Sequence, residues 1–365
     1  MLVGHITAAL ESVAPVALQE DYDNCGLIIG TPAQECTGVL LTVDVTPSVV
    51  QEAIDTGCNL IVAHHPLIFK GLRRLNGSTP VEQSAMMAIR AGIAVYACHT
   101  CLDNAPGGVS HTMATMLGLD NIEVLDPQEG RLMKLSVFVP HSHVEEVRLA
   151  LFDAGAGQIG RYDCCSYTTT GTGTFRPGPG ADPFVGHHGQ LHSEPETRIE
   201  VILPAWRRSA VEAALLQTHP YEEPAYDFLT LANRRADTGS GAVGNLPSVI
   251  TASQLVDKVK STFSSPVARC TAYPSDAPIR RVALCGGSGA FLINRAIASG
   301  AQAFITSDTK YHDFVDYAHN FLIIDIGHFE SENCTKHIFY NIITEKFPNF
   351  AVRYATTDIN PINYL

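Results

Sequence analysis

The 365-residue chain is predicted to be an α/β protein whose core is built from two related halves, with a smaller α+β domain inserted between them. Three observations predict this. Strand-helix-strand runs fill both the first and the last 130 residues, which implies parallel sheets with helices packed on them. The two runs match in phase: with an offset of 284 − 41 = 243, Leu41 falls on Leu284, Ala53 on Ala296, Ile54 on Ile297 and Gly57 on Gly300. The stretch between them has a different texture. The boundaries read as 1–130 for the first half, 131–234 for the insert and 235–365 for the second half.

In the first half, GVLLTVDV (38–45) is an apolar strand, and 48–56 is a helix closed by Gly57. Residues 59–63 form a second buried strand that ends in His64-His65-Pro66. Residues 80–91 are helical with Gly92 as the stop, and 93–97 is a third strand. In the second half, 281–284, 303–306 and 321–324 read as strands, with a helix over 290–299. In the insert, the alternating LMKLSVFVP (132–140) is a strand, 144–154 an amphipathic helix, 196–203 a strand, 206–217 a helix and 225–231 a strand. The segment GTGTFRPGPGADPFVGHHGQ (171–190) reads as a loop. Two strand-helix-strand units in a row give a ferredoxin-like plan.

Composition narrows the function classes. Lys and Arg number 24 against 37 Asp and Glu, a net charge of −13, and the basic residues cluster only in pairs such as Arg73-Arg74. An acidic surface repels phosphate backbones, so nucleic-acid binding is not expected. Charged residues make up 17% of the chain, against about 25% in an average domain, which implies that part of the surface is buried in an oligomer. The ten cysteines are scattered through apolar stretches, unlike a disulfide scaffold, and Cys98-x-x-Cys101 has no second pair. The N-terminal MLVGHITAALESVAP lacks a signal-peptide pattern, and no apolar run is long enough to span a membrane. The expected location is the cytoplasm, with reduced thiols.

Several of the fifteen histidines sit where strands end. His64 and His65 follow NLIVA; successive strand residues point to opposite faces, so this pair serves neighbouring ions only if the chain bends there. His99 follows IAVYAC with Asp103 four residues later, and His328 follows FLIIDIG with Glu332 four residues later. On a helical turn, positions four apart share a face, so each pair can converge on one point. Imidazole with carboxylate suits zinc, iron, manganese or nickel. Strand C-terminal ends are also where open α/β sheets place their ligands. Two weaker candidates accompany these. Gly287-Ser288-Gly289 lies between a strand and a helix, where backbone amides can hold a phosphate. Asp308 and His312 follow the strand that matches the one before His64, and are candidate acid-base groups or supports for a ligand. Asp325 is a further candidate to orient His328, whereas His187-His188 has no partner nearby in sequence.

HHPLIF (64–69), His99 to Asp103 in the pattern H-T-x-L-D, and GHFESE (327–332) resemble the signature of the Nif-three-like family, whose members carry the name GTP cyclohydrolase 1 type 2 homologue. DNCGLIIG (23–30) and SDTKYHD (307–313) also resemble that family's segments, so the likeness covers both outer portions. The middle segment, through RYDCCSY (161–167), GTGTFRP (171–177) and HPYEEPAYD (219–227), is similar to the insert of the longer members, which resembles PII and copper-tolerance folds. The resemblance implies a dinuclear metal centre between the halves, with two divalent ions held by His64, His65, Asp103, His328 and Glu332. His99 falls beside them as a supporting or alternate ligand. It also implies a homohexameric ring. The expected function is therefore metal-dependent hydrolysis of a nucleotide or related small molecule. A non-catalytic metal-handling or insertion protein with a ligand-sensing insert is the alternative, and a DNA- or transcription-associated ring is a third class that the charge disfavours.

Overall fold

The computed structural model describes residues 1–364. The protein is a mixed α/β molecule with three sheets, divided into two compact units: Met1–Pro127 with Ala236–Leu365, and Gln128–Arg235.

The larger unit holds two sheets. In the first, β1 (Gly26–Ile29), β2 (Val39–Thr42), β3 (Leu60–Ala63), β4 (Ala94–Ala97) and β15 (Val352–Tyr354) lie in the order β1-β4-β3-β2-β15. Strands β2, β3 and β4 are parallel, with Val39 beside Leu60 and Leu60 beside Ala94, and β1 closes the sheet antiparallel to β4. All twelve residues of β2, β3 and β4 are buried, as expected of strands covered on both faces. The helices Pro47–Thr56 and Pro80–Ala91 cover one face, where Val50, Ala53 and Ala88 pack with Leu40, Ile61 and Val95. Both helices start as their sequences dictate: the side chains of Thr46 and Thr79 accept the amides of Val49 and Glu82, each ahead of a proline at the first helical position.

In the second sheet, β5 (Asp120–Pro127), β10 (Gly239–Thr251), β11 (Arg269–Cys270), β12 (Pro278–Ser288), β13 (Ala303–Ser307) and β14 (Leu322–Asp325) lie in the order β11-β14-β13-β12-β10-β5. Strands β12, β13 and β14 are parallel, with β11 antiparallel beyond β14. This sheet therefore repeats the arrangement of the first, three parallel strands in the same order with an antiparallel strand outside the third. The helix expected over 290–299 is a single 3-10 turn, Ala290–Leu292, followed by the short helix Ile293–Ala298. The long β10 carries no clear apolar alternation and was not expected; it pairs on both edges, with β5 and with β12.

In the smaller unit, β6 (Leu132–Pro140), β7 (Ser166–Phe175), β8 (His192–Pro204) and β9 (Tyr226–Thr230) form an antiparallel sheet in the order β7-β8-β6-β9. The helices Val144–Asp153 and Arg208–Thr218 cover one face through Val147, Leu151, Val211 and Leu215 on Val137, Val139, Ile199 and Val201. One expectation fails here. The first residues of the segment read as a loop, Gly171–Phe175, belong to β7, paired with β8 from Ser166 opposite Val201 to Phe175 opposite His192. The run SYTTTGTGTF is exposed along most of its length, so it has no apolar period to read, although its threonines are good strand formers.

The C-terminal segment braces the first sheet. The Asp358 carboxylate accepts the amides of Val43 and Asp44 at the end of β2, 2.9 and 3.4 Å away, and pairs with Lys336 at 2.9 Å. Both side chains of the pair are nearly fully buried. Asp358→Ala leaves an ammonium buried without its partner and two amides unsatisfied. It is expected to cost about 3–5 kcal/mol in denaturant unfolding; a loss under about 1 kcal/mol would show that the brace is dispensable.

Candidate metal centre

The strand ends of the larger unit bring four histidines and two carboxylates together. The chain bends directly after β3, so His64 and His65 do not point to opposite faces; their ring centroids are 5.1 Å apart. His99 follows β4, its ring 5.2 Å from that of His64 and 5.3 Å from that of His65. Asp103 ends the one-turn helix Thr100–Asp103. His328 and Glu332 sit on the short helix His328–Glu332 after β14, so the second sheet supplies the far side of the cluster. His65 Nε2 and His328 Nε2 are 3.2 Å apart.

The rings are held from behind. His64 Nδ1 donates to the Cys98 carbonyl at 3.0 Å, His65 Nδ1 to Asp44 Oδ1 at 2.8 Å, His99 Nδ1 to Asp23 Oδ1 at 2.9 Å and His328 Nδ1 to Asp308 Oδ2 at 2.6 Å. Carbonyl and carboxylate oxygens only accept, so every Nδ1 carries the hydrogen and every neutral ring turns its Nε2 lone pair inward. Metal-ligating histidines are typically fixed in this way. The supports are themselves fixed: Asp23 accepts the amide and hydroxyl of Thr100, and Asp308 holds its place at φ +54°, a backbone region that costs a non-glycine residue energy.

Glu332 is the centre of the cluster. It is 3% exposed, with Oε1 3.6 Å from His64 Nε2 and Oε2 2.9 Å from both His65 Nε2 and His328 Nε2. Oε2 makes no contact with hydrogen-bond geometry, and His64 Nε2 and Asp103 Oδ1, 3.8 Å apart, are likewise buried without a partner. Three orphaned ligand atoms in one place are costly unless something else satisfies them. Two trios have ligand atoms all within 4.8 Å of one another: His64, His65 and His99, and His65, His328 and Glu332. Nitrogen and oxygen donors without a thiolate suit a divalent transition metal. Gly287 makes room for the carboxylate, because a Cβ there would run into Glu332 Oε1, and its φ of +62° already favours glycine.

Charge follows geometry. Burial would lower the His65 and His328 pKa values, but Asp44 and Glu332 outweigh it and push His65 up to about 10; Glu332 and Asp308 push His328 up to about 9. Burial would raise Glu332, yet the surrounding imidazoles hold it well below its ordinary range. Asp103 goes the other way, raised by burial and by the nearby Glu332 despite the histidines.

The other candidates separate from this cluster. Asp308 acts on His328, whereas Asp325 does not: its carboxylate accepts from Thr309 and the Gly327 amide and pairs with Arg269. His312 is exposed, edge-on to Tyr311, and no hydrogen bond or ion pair joins it to the cluster among the described residues. The phosphate cradle expected at Gly287, Ser288 and Gly289 meets occupied donors, because the Gly287 and Gly289 amides donate to Ser331 Oγ and Thr306 Oγ1, both at 2.9 Å. His188 bonds the Gly178 carbonyl within its own loop. All ten cysteines are free thiols. Two supports escaped the sequence reading, Asp23 and Asp44. The available signal for Asp44 was an acid at the end of the strand next to the one that carries His64 and His65.

Fold and site together define an α/β protein with a buried histidine–carboxylate cluster where two sheets bring their strand ends together. The profile of the family described as Duf34/NIF3 (NGG1p interacting factor 3) matches residues 1–361, and the chain belongs to that family. A Halalkalibacterium halodurans protein named GTP cyclohydrolase 1 type 2 homolog is 42% identical over 320 residues, 87% of this chain and 86% of its own. A Bacillus subtilis protein of the same name is 35% identical over 370 residues, covering 99% of this chain and 98% of its own. Among solved structures, a Bacillus cereus protein related to NIF3 superposes with a TM-score of 0.87 at 37% identity, covering 100% of this chain and 99% of that one. No helix among the described residues is long and apolar enough to cross a membrane.

With His65 and His328 raised, the cluster favours protons at neutral pH that a bound cation would displace. Zinc or manganese binding is therefore expected to release about one to two protons per chain near neutrality, with apparent affinity rising as pH rises toward 9. Calorimetry in buffers of different ionisation enthalpy measures this directly. Binding with no proton release and no pH dependence would contradict the arrangement.

Proposed function

We propose that this chain is a dinuclear metal protein and a metal-dependent hydrolase acting on a nucleotide or related small molecule. The observation that carries the reading is the set of unpartnered, buried ligand atoms on His64, Asp103 and Glu332, ringed by histidines whose Nε2 atoms turn inward. His64 and Asp103 would hold one divalent ion, and His65 and His328 a second. Glu332 would serve both, a reading supported by its two oxygens facing different histidines. Bound there, divalent ions would supply Lewis-acid polarisation of the substrate and activation of water.

The chain's own residues do the rest. Asp44, Asp23 and Asp308 fix the rings of His65, His99 and His328 and their proton positions. His99 stands beside His64 and His65 as an alternate ligand or proton carrier. His65 and His328 remain partly exposed, which gives a substrate a side from which to approach. His312 is the proposed outer proton donor. The names of the relatives favour a guanine nucleotide as substrate, and the donor set serves a phosphoester or a C–N bond equally well. The fold reading belongs to the same proposal: two related halves share the centre, the ferredoxin-like unit is an insert, and the assembly is a homohexamer in the cytoplasm.

The test is a panel of nucleotides and phosphoesters with metal-loaded protein, metal content being measured at every pH. Turnover is expected to rise with pH through a limb near neutrality at constant occupancy. Glu332→Gln or His65→Ala should abolish turnover and metal while leaving the circular dichroism unchanged, and His312→Ala should slow turnover with metal retained. Tight metal without turnover across the panel would replace the hydrolase by the metal-handling reading. Wild-type metal content in the Glu332 and His65 variants would overturn both.

A further inference from the structure

The smaller unit contains a cavity of about 690 Å³ that has no part in the metal centre. Its size lies within the roughly 300–1,000 Å³ typical of small-molecule sites. It lies on the face of the sheet that the two helices leave bare. Along β8, Ile199 and Val201 point into the core beneath the helices, so Glu196 and Arg198, an even number of residues away from each other, share the opposite face. The loop after β7 closes over it, pinned where Glu222 accepts the Asp182 amide at 3.0 Å.

The walls are aromatic. Phe138, Phe175, Phe184 and Tyr221 line the cavity, with the Tyr221 ring 5.9 Å from that of Phe175 and 6.2 Å from that of Phe184. Glu196, 7% exposed, is also in the wall. Its Oε1 accepts the Tyr221 hydroxyl at 3.0 Å. Its Oε2 lies over Gly173, where a Cβ would occupy the carboxylate's place, and no donor reaches it among the described residues. No cation pairs with Glu196 among the described residues. Two guanidiniums line the wall, Arg176 and Arg198; Arg198 bonds Glu200 and Ser136, and neither forms an ion pair with Glu196 among the described residues. A glutamate more than nine-tenths buried, its carboxylate facing the cavity with one neutral hydrogen bond and no counter-charge, leaves an anion poorly compensated. Aromatic faces around it attract positive charge by their quadrupoles.

We propose that this cavity is a binding site for a small organic cation, an amine or quaternary ammonium compound, whose charge sits against Glu196 and the faces of Tyr221, Phe175 and Phe184. Glu222 and Glu223 at the mouth add negative charge on the way in. The cation supplies the counter-charge that Glu196 lacks, while its alkyl groups replace water against the rings. The proposal is independent of what the metal centre does, since all of its residues lie within Gln128–Arg235.

The experiment uses the full chain and four probes: tetramethylammonium, n-butylammonium, the neutral 3,3-dimethylbutan-1-ol and the anion butyrate. Saturation-transfer NMR and calorimetry report binding. Both cations are expected to bind, about tenfold or more tighter than the neutral probe and with butyrate excluded. Glu196→Gln, which keeps an acceptor for Tyr221, should bring the cations to the level of the neutral probe while that probe's binding is unchanged. Unchanged binding of the neutral probe also shows that the variant retains its cavity. Phe184→Ala should weaken the cations with Glu196 intact. Equal binding of cations and alcohol, preference for butyrate, no binding of either cation, or cation binding unaffected by Glu196→Gln would each overturn the proposal.

Discussion

Glu332 lies almost entirely out of water, with imidazole nitrogens of His64, His65 and His328 within 3.6 Å of its two oxygens. A buried anion needs compensating charge or hydrogen bonds, and here it has nitrogens that are themselves competing for the same space. Part of that compensation comes from the imidazoles, since the neighbouring carboxylates push the His65 and His328 pKa values up and favour protons there. That solution is incomplete, because His64 Nε2, Asp103 Oδ1 and Glu332 Oε2 still have no hydrogen-bond partner. The cluster is a polar interior whose histidine and carboxylate donors could hold a metal ion, and the neighbouring strand ends and carboxylates fix those donors in place.

The arrangement works through strand ends. Five ends of parallel strands, β2, β3, β4, β13 and β14, lead into Asp44, His64-His65, His99, Asp308 and His328. Placing donors on the termini of rigid, buried strands fixes them without giving up core residues to the task. The supports then chain outward: His65 rests on Asp44, whose amide rests on Asp358, whose carboxylate rests on Lys336. The C-terminal segment is thus tied to the orientation of one ring in the cluster. On the other side, Gly287 exists to let β12 pass beneath Glu332, and its amide is held by Ser331 on the same short helix.

Most of the parallel strands were legible because each is a short, mainly apolar run that ends in a polar or glycine signal, as in Leu60–Ala63 before His64-His65; β15, with Arg353 at its centre, was not. The helices 47–56 and 80–91 were legible from their caps. The strand β7 was not, since its threonines and glycines face water and leave no period. Nor was β10, which gains its place by pairing on both edges rather than from its own pattern. Among the site residues, the spacing of His328 with Glu332 anticipated the contact between them, whereas Asp103 lies nearest His64, far from it in sequence. The meeting of His64 with His65 depended on a bend that sequence only permits. Asp23 and Asp44 stayed hidden because a carboxylate that orients an imidazole lies tens of positions away in the chain and follows no local pattern. The glycines at 287 and 289 serve close packing, Gly287 against Glu332 and Gly289 against Cys285 and Thr306, and a phosphate turn has the same composition.

The most direct measurement is anomalous X-ray diffraction from crystals of the protein loaded with zinc or manganese, with data collected on both sides of the metal's absorption edge. The account predicts two peaks in each chain, one beside His64 and Asp103, the other beside His65 and His328, with Glu332 contacting both. A single peak would contradict the dinuclear reading. Peaks away from Glu332, or none at full metal occupancy of the solution, would contradict the claim that these buried donors exist to hold metal.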